Sequence, residues 1–150
     1  MKGGVLIGQT IFRSWRLEMR EDIYNGIKNH IQSISGFEKI EILTIEAGHC
    51  ELEVEITETM LNLYGSVHGG VLYTLCDIAS GMSAYAYECS NVTLNGTINY
   101  LKPAGVGKLR VICNTIHKGK TTVVNDVFIK DSEEITIASA RMTMYITKEL

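Results

Sequence analysis

Between positions 62 and 77 the chain gathers residues that could do chemistry together: Asn62, His68, the pair Gly69-Gly70, and Asp77. Asp77 is the single charge between Val71 and Tyr87, a stretch with no proline. Its neighbours four residues either way, Tyr73 and Gly81, offer no cation. A carboxylate that loses water without gaining a cation becomes a stronger base, which suits a general base or a nucleophile. The plainer reading is a helix carboxylate that reaches water at a rim. Gly69 and Gly70 stand where a helix would start. They form either a tight entry turn or bare backbone that lets a ligand reach the first free N–H groups. Those donors and the positive end of the helix dipole would polarise a carbonyl or stabilise an oxyanion. His68 has no carboxylate or cysteine at ligand spacing and no H-x-x-x-H partner, so it is poor evidence for a metal, and it suits an orienting hydrogen bond better than a catalytic acid.

These residues need a helix to hold them. Val71, Leu72, Leu75, Cys76, Ile78, Ala79, Met82 and Tyr85 occupy nearly every side of the helix this stretch would make, which predicts a buried one. The run is too long for an ordinary strand, and too short and too interrupted by polar residues to span a bilayer. Gly69 and Asp77, eight residues apart, would be separated by about 12 Å along the axis. A donor and a base serving one reaction must both come within ~3 Å of the reacting atoms. One copy of the helix fails that demand; two copies packed antiparallel meet it. A two-fold dimer with two composite sites is therefore expected. Ala79, Ser80, Gly81 and Ala84 either permit that close approach or simply fit under a sheet.

The rest of the chain supplies the sheet. Residues 13–34 predict an amphipathic helix, with Trp15, Met19, Ile23, Ile27 and Ile31 recurring every four. From Phe37 the period falls to two: Cys50, Leu52, Val54 and Ile56 alternate with Glu51, Glu53, Glu55 and Thr57, as in a half-buried antiparallel strand. After Asn91 the alternation puts Val92, Leu94, Ile98 and Tyr100 on one face and Thr93, Asn95, Thr97 and Asn99 on the other. Residues 108–117, 121–130 and 135–147 predict three more strands through short turns. The fold class is α+β: a mostly antiparallel sheet curled around the apolar helix, with an amphipathic helix before it. One domain is expected over 1–150, with an N-terminal segment and helix to 36 and the core over 37–147.

Composition narrows the function. At 150 residues and a net charge of −3, the chain as a whole should not steer toward nucleic acid. Cys50, Cys76, Cys89 and Cys113 lack C-x-x-C spacing and sit in apolar segments, so reduced, buried thiols are expected. The N-terminus shows no A-x-A cleavage signature. The expectation is a cytoplasmic protein with no membrane partner.

The run Asn62-x-x-Gly65-x-x-His68-Gly69-Gly70, with Asp77 nine positions after the histidine, resembles the hotdog-fold acyl-CoA thioesterases of the PaaI-like branch. The likeness extends over about residues 38–147, through Tyr100-Leu-Lys-Pro103 and Lys118-Gly119-Lys120-Thr121. It implies hydrolysis of acyl-CoA with no metal or other cofactor, coenzyme A being part of the substrate. It implies Asp77 as general base or nucleophile and Gly69 or Gly70 as the backbone donor to the thioester carbonyl. Asn62 and His68 would position thioester and water, with Thr93 assisting the carboxylate from its own subunit. Lys118 and Lys120 would meet the CoA phosphates, or are an ordinary solvated turn. The resemblance also implies a homotetramer built from the dimer. The alternative function is a non-catalytic acyl-CoA-binding module; a dehydratase would show a His–Asp pairing later on the helix that this chain lacks.

Overall fold

The computed structural model describes residues 19–150. Of the helix expected over 13–34, the stretch 13–18 with Trp15 lies outside the described residues. The remainder is α1 (Glu21–Ser33). Arg20 precedes it and donates to both carboxylate oxygens of Asp22, at 2.7 and 3.1 Å. Ile23, Ile27 and Ile31 are buried, so the expected stripe is the face that packs.

Strands β1 (Glu41–Glu46) and β2 (His49–Ile56) form a hairpin turned at Gly48, whose φ of 85° favours glycine. A 3-10 turn (Glu58–Met60) leads toward α2 (Gly69–Tyr85). Then come β3 (Cys89–Tyr100), β4 (Gly107–Lys118), β5 (Thr122–Lys130) and β6 (Thr136–Glu149). Every pairing is antiparallel, in the order β1-β2-β4-β5-β6-β3. Helix α2 packs against all six strands. Leu52, Val111, Val127 and Met142 reach full burial beneath it. This is the hotdog architecture, a curved sheet wrapped round one helix.

Three sequence expectations need correction. The central helix starts at the glycine pair as expected, with His68 as its cap, but it ends at Tyr85 rather than running to Tyr87. It is not buried all round: Tyr73, Asp77, Gly81 and Tyr85, spaced by four, lie on a half-exposed face. Ala79, Ser80 and Ala84 are buried within the protomer, so of the four small residues only Gly81 lies on that open face. The third correction concerns β3. Thr93 pairs with Met144 and Asn95 with Thr143, so Leu94 is an extra residue that bulges and reverses the alternation. Thr93 before the bulge and Tyr100 after it therefore both face α2. Val92 and Leu94 are 54% and 61% exposed.

A buried polar link ties α2 to β5. Buried Asn125 of β5 accepts a hydrogen bond from Thr115 Oγ1 at 2.6 Å and donates from Nδ2 to the Ser80 carbonyl at 3.3 Å. Nearby, Cys50, Cys76 and Cys113 are free and buried, as expected. Burial pushes the Cys50 thiol well up, and pushes those of Cys76 and Cys113 from 9.0 to about 12. While all thiols are protonated this difference has no effect on folding. Above pH 9 the unfolded chain loses thiol protons that the folded chain keeps, so stability falls as pH rises toward 12. The expected slope is about 1.4 kcal/mol per thiol for each pH unit. Urea unfolding at about pH 8 and about pH 10.5 should show this fall, reduced in Cys113→Ala; equal midpoints at the two pH values would contradict it.

Candidate active site

Asp77 projects from the middle of α2 into the wall of a cavity of about 490 Å³ between α1, α2 and β3. Thr93 lines the same cavity and donates from Oγ1 to Asp77 Oδ1 at 2.5 Å. This contact depends on the bulge at Leu94, which leaves Thr93 on the helix side of the sheet. Among the described residues no ion pair involves Asp77. The carboxylate is thus held by a neutral donor at one oxygen, and its second oxygen remains available to a reacting molecule.

The predicted site residues His68, Gly69 and Gly70 stand at the start of α2. His68 is the N-cap, and its Nδ1 accepts the Gly70 N–H at 3.4 Å. The Gly69 N–H has no intrahelical acceptor by position and makes no hydrogen bond among the described residues. Of the two glycines, Gly69 therefore keeps the freer donor. Tyr100, which sequence reasoning gave no role, holds this residue in place. Its hydroxyl donates to the Gly69 carbonyl at 2.9 Å, and a Cβ on Gly69 would stand 3.1 Å from the Tyr100 ring. Partial loss of water raises the Tyr100 hydroxyl above its ordinary pKa. No local signal marks this contact, because 31 residues separate the two in the chain.

Asn62 lies upstream, where its side-chain oxygen accepts the N–H groups of Tyr64 and Ser66 at 2.9 and 3.1 Å. Its Oδ1 is spent on shaping the turn, which leaves Nδ2 as the group able to meet a substrate. Lys118 and Lys120 sit on the β4–β5 hairpin and are exposed. Lys118 Nζ donates to the Gly119 carbonyl at 3.0 Å and stands 5.6 Å from the centre of the Tyr87 ring, just past the end of α2. Asp77 and Thr93 are thus brought together, as are His68, Gly69 and Gly70. The two groups are not: eight residues of helix separate Gly69 from Asp77, about 12 Å of rise. The lysines lie at the opposite end of α2 from the glycines. Among the described residues, no cluster of three or more His, Cys, Asp or Glu is placed to hold a metal ion, and no helix is long and apolar enough to cross a membrane.

Comparison with known proteins gives this geometry a context. The family model described as "Thioesterase superfamily" matches residues 64–138. The acyl-coenzyme A thioesterase PaaI of Escherichia coli (strain K12) is 32% identical over 108 residues, which cover 68% of this chain and 74% of that protein. The solved structure of E. coli PaaI superimposes with a TM-score of 0.79 over 85% of this chain and 95% of that chain, at 24% identity. A hypothetical thioesterase protein from Streptococcus pneumoniae TIGR4, crystallised with coenzyme A, is 37% identical, with a TM-score of 0.77 over 80% of this chain and 94% of its own. Two solved variants of that protein replace an aspartate and a threonine by alanine. The two replaced positions lie sixteen residues apart, the separation of Asp77 and Thr93.

The Asn62 turn yields a direct test. In Asn62→Ala the Tyr64 and Ser66 amides lose their acceptor, a loss of about 1 kcal/mol for each bond. Their hydrogen exchange should accelerate several-fold while amides of the β4–β5 ladder keep their wild-type rates. Unchanged exchange at both positions would refute the assigned bonds.

Proposed function

The chain belongs to the thioesterase superfamily, and from that premise we propose that it hydrolyses acyl-CoA to a free acid and coenzyme A. The observation that carries this reading is the Asp77 carboxylate, held by Thr93 in a cavity wall and paired with no cation among the described residues. Two further facts support it: the curated relative named as an acyl-coenzyme A thioesterase, and the neighbour crystallised with coenzyme A.

The thioester carbonyl accepts the Gly69 N–H at the helix start, where the dipole and the free donor stabilise a developing oxyanion. Because about 12 Å of helix separates that donor from Asp77 of the same chain, the base comes from a second copy. The partner subunit's Asp77 takes a proton from water, and the water oxygen bonds to the carbonyl carbon. As the tetrahedral intermediate collapses the C–S bond breaks, and the proton held by the carboxylate returns to the departing thiolate. The occupied Oδ1 favours this general-base course over direct attack, since one oxygen serves Thr93 and the other serves water. His68 caps the donor's helix, and Asn62 Nδ2 steadies the thioester or the water. The pantetheine arm runs along the helix that lends Gly69, toward Lys118 and Lys120 beyond its far end, where two ammonium groups meet the phosphates. A CoA thioester needs no further cofactor for these steps.

Asp77→Asn should retain the fold and lower kcat by about a hundredfold or more. Single turnover in isotopically labelled water should place the label in the acid product. Unlabelled acid would mean attack by the carboxylate itself, and near-normal turnover of Asp77→Asn would remove the residue from the mechanism. Sedimentation equilibrium should give a dimer or a multiple of it, with specific activity falling on dilution below the dimer dissociation constant. An active monomer would eliminate the shared centre.

A further inference from the structure

The open face of α2 continues past Asp77. Gly81 and Tyr85 follow it at intervals of four, so the three lie in a row that spans about 12 Å of helix. All three line the cavity that holds Thr93. Gly81 forms a bare floor: a Cβ there would have as its nearest neighbours Asn91 Oδ1 and Met144 Cε, each 3.8 Å away. A methyl group would fit in ordinary contact, and any longer side chain would rise into the space above. Tyr85 ends the row. Its hydroxyl would lie 3.2 Å from a Cβ on Gly26, so the ring reaches across to α1 where α1 carries no side chain. Ile27 and His30 of helix α1 and Ile34 just past its end form the facing wall, while Met82 and Met144 add flexible apolar surface. Residues 19–63 fall outside the matched family segment of 64–138, so this wall is supplied by a part of the chain that the family model leaves aside.

We infer that the acyl chain lies in this trough and that Gly81 and Tyr85 set the length it accepts. Resting on the assignment of Asp77 to the reacting end, the trough selects acyl groups with a slim apolar tail that passes Gly81 and stops at Tyr85. Gly26 lets Tyr85 close the far end. A tail stopping short of Gly81 leaves apolar wall uncovered, and one longer than the row meets the Tyr85 ring.

Gly81→Leu and Tyr85→Ala test this in the full chain. Replacing glycine by leucine inside a helix favours the helix, so Gly81→Leu is expected to fold at least as well as wild type. Turnover is read by thiol release from saturated acyl-CoAs from acetyl to palmitoyl. Affinity is read by calorimetry with S-alkyl-CoA thioethers of the same lengths, which cannot be hydrolysed. Relative to its own rate on acetyl-CoA, Gly81→Leu should lose about tenfold or more in kcat/KM for chains that pass residue 81, mainly through KM. Tyr85→Ala should move the optimum to longer chains. Chain-length profiles of both variants parallel to wild type, in turnover and in thioether affinity, would overturn the inference. If wild type releases no thiol from any substrate, the hydrolytic reading fails, while thioether affinity still decides the trough: affinity that ignores chain length would overturn it too.

Discussion

The structure depends on a division of labour between the two sides of α2. One side fills the concave sheet, and Asn125 locks its rotation through the Ser80 carbonyl. The other side is left half-open, and there stand Asp77, Gly81 and Tyr85. If the helix turned by one residue, about 100°, the carboxylate would swing into the core and the apolar residues would swing out. Burial of Leu75, Cys76 and Ala79 at full depth resists that turn. The same packing that stabilises the domain therefore aims the carboxylate.

Glycine and tyrosine recur as matched pairs around this helix. Gly69 takes the ring of Tyr100, Gly96 takes the hydroxyl end of Tyr73, and Gly26 takes that of Tyr85. In each case an aromatic side chain from one element fills the space that a missing Cβ leaves on another. These contacts join the helix start to the end of β3, the helix face to the middle of β3, and the helix end to α1. The helix start, the helix face that carries Asp77 and the cavity end are thus tied to neighbouring elements by rigid rings rather than by flexible side chains.

Much of this was legible in the sequence. The alternation from Cys50 to Ile56 marks a strand with one buried face, and the structure has β2 with those four residues buried. The stripe Ile23, Ile27, Ile31 marks the packed face of α1. The failures have local physical causes. Histidine is an uncommon cap, so the capping role of His68 carried no usual signature, although the glycine pair marked the helix start. Nothing in Thr93-Leu94-Asn95 announces a bulge, and a strict period of two then places Thr93 on the wrong face. The resemblance, and not the periodicity, pointed to Thr93 as a partner of Asp77. The Tyr100–Gly69 and Tyr85–Gly26 contacts join positions far apart in the chain, and no spacing rule reaches across such a separation.

The two margins of the sheet are defended very differently. Strand β1 closes one margin with Glu41 and Glu46 at its ends, charges that repel an incoming chain. Strand β3 closes the other margin with twelve residues from Cys89 to Tyr100, among which there is no Lys, Arg, Asp or Glu. Its outward row of amides and carbonyls is a template for any extended segment that drifts past, and its exposed valine and leucine make the encounter sticky. Of the two margins, β3 is therefore the one that would accept a further strand.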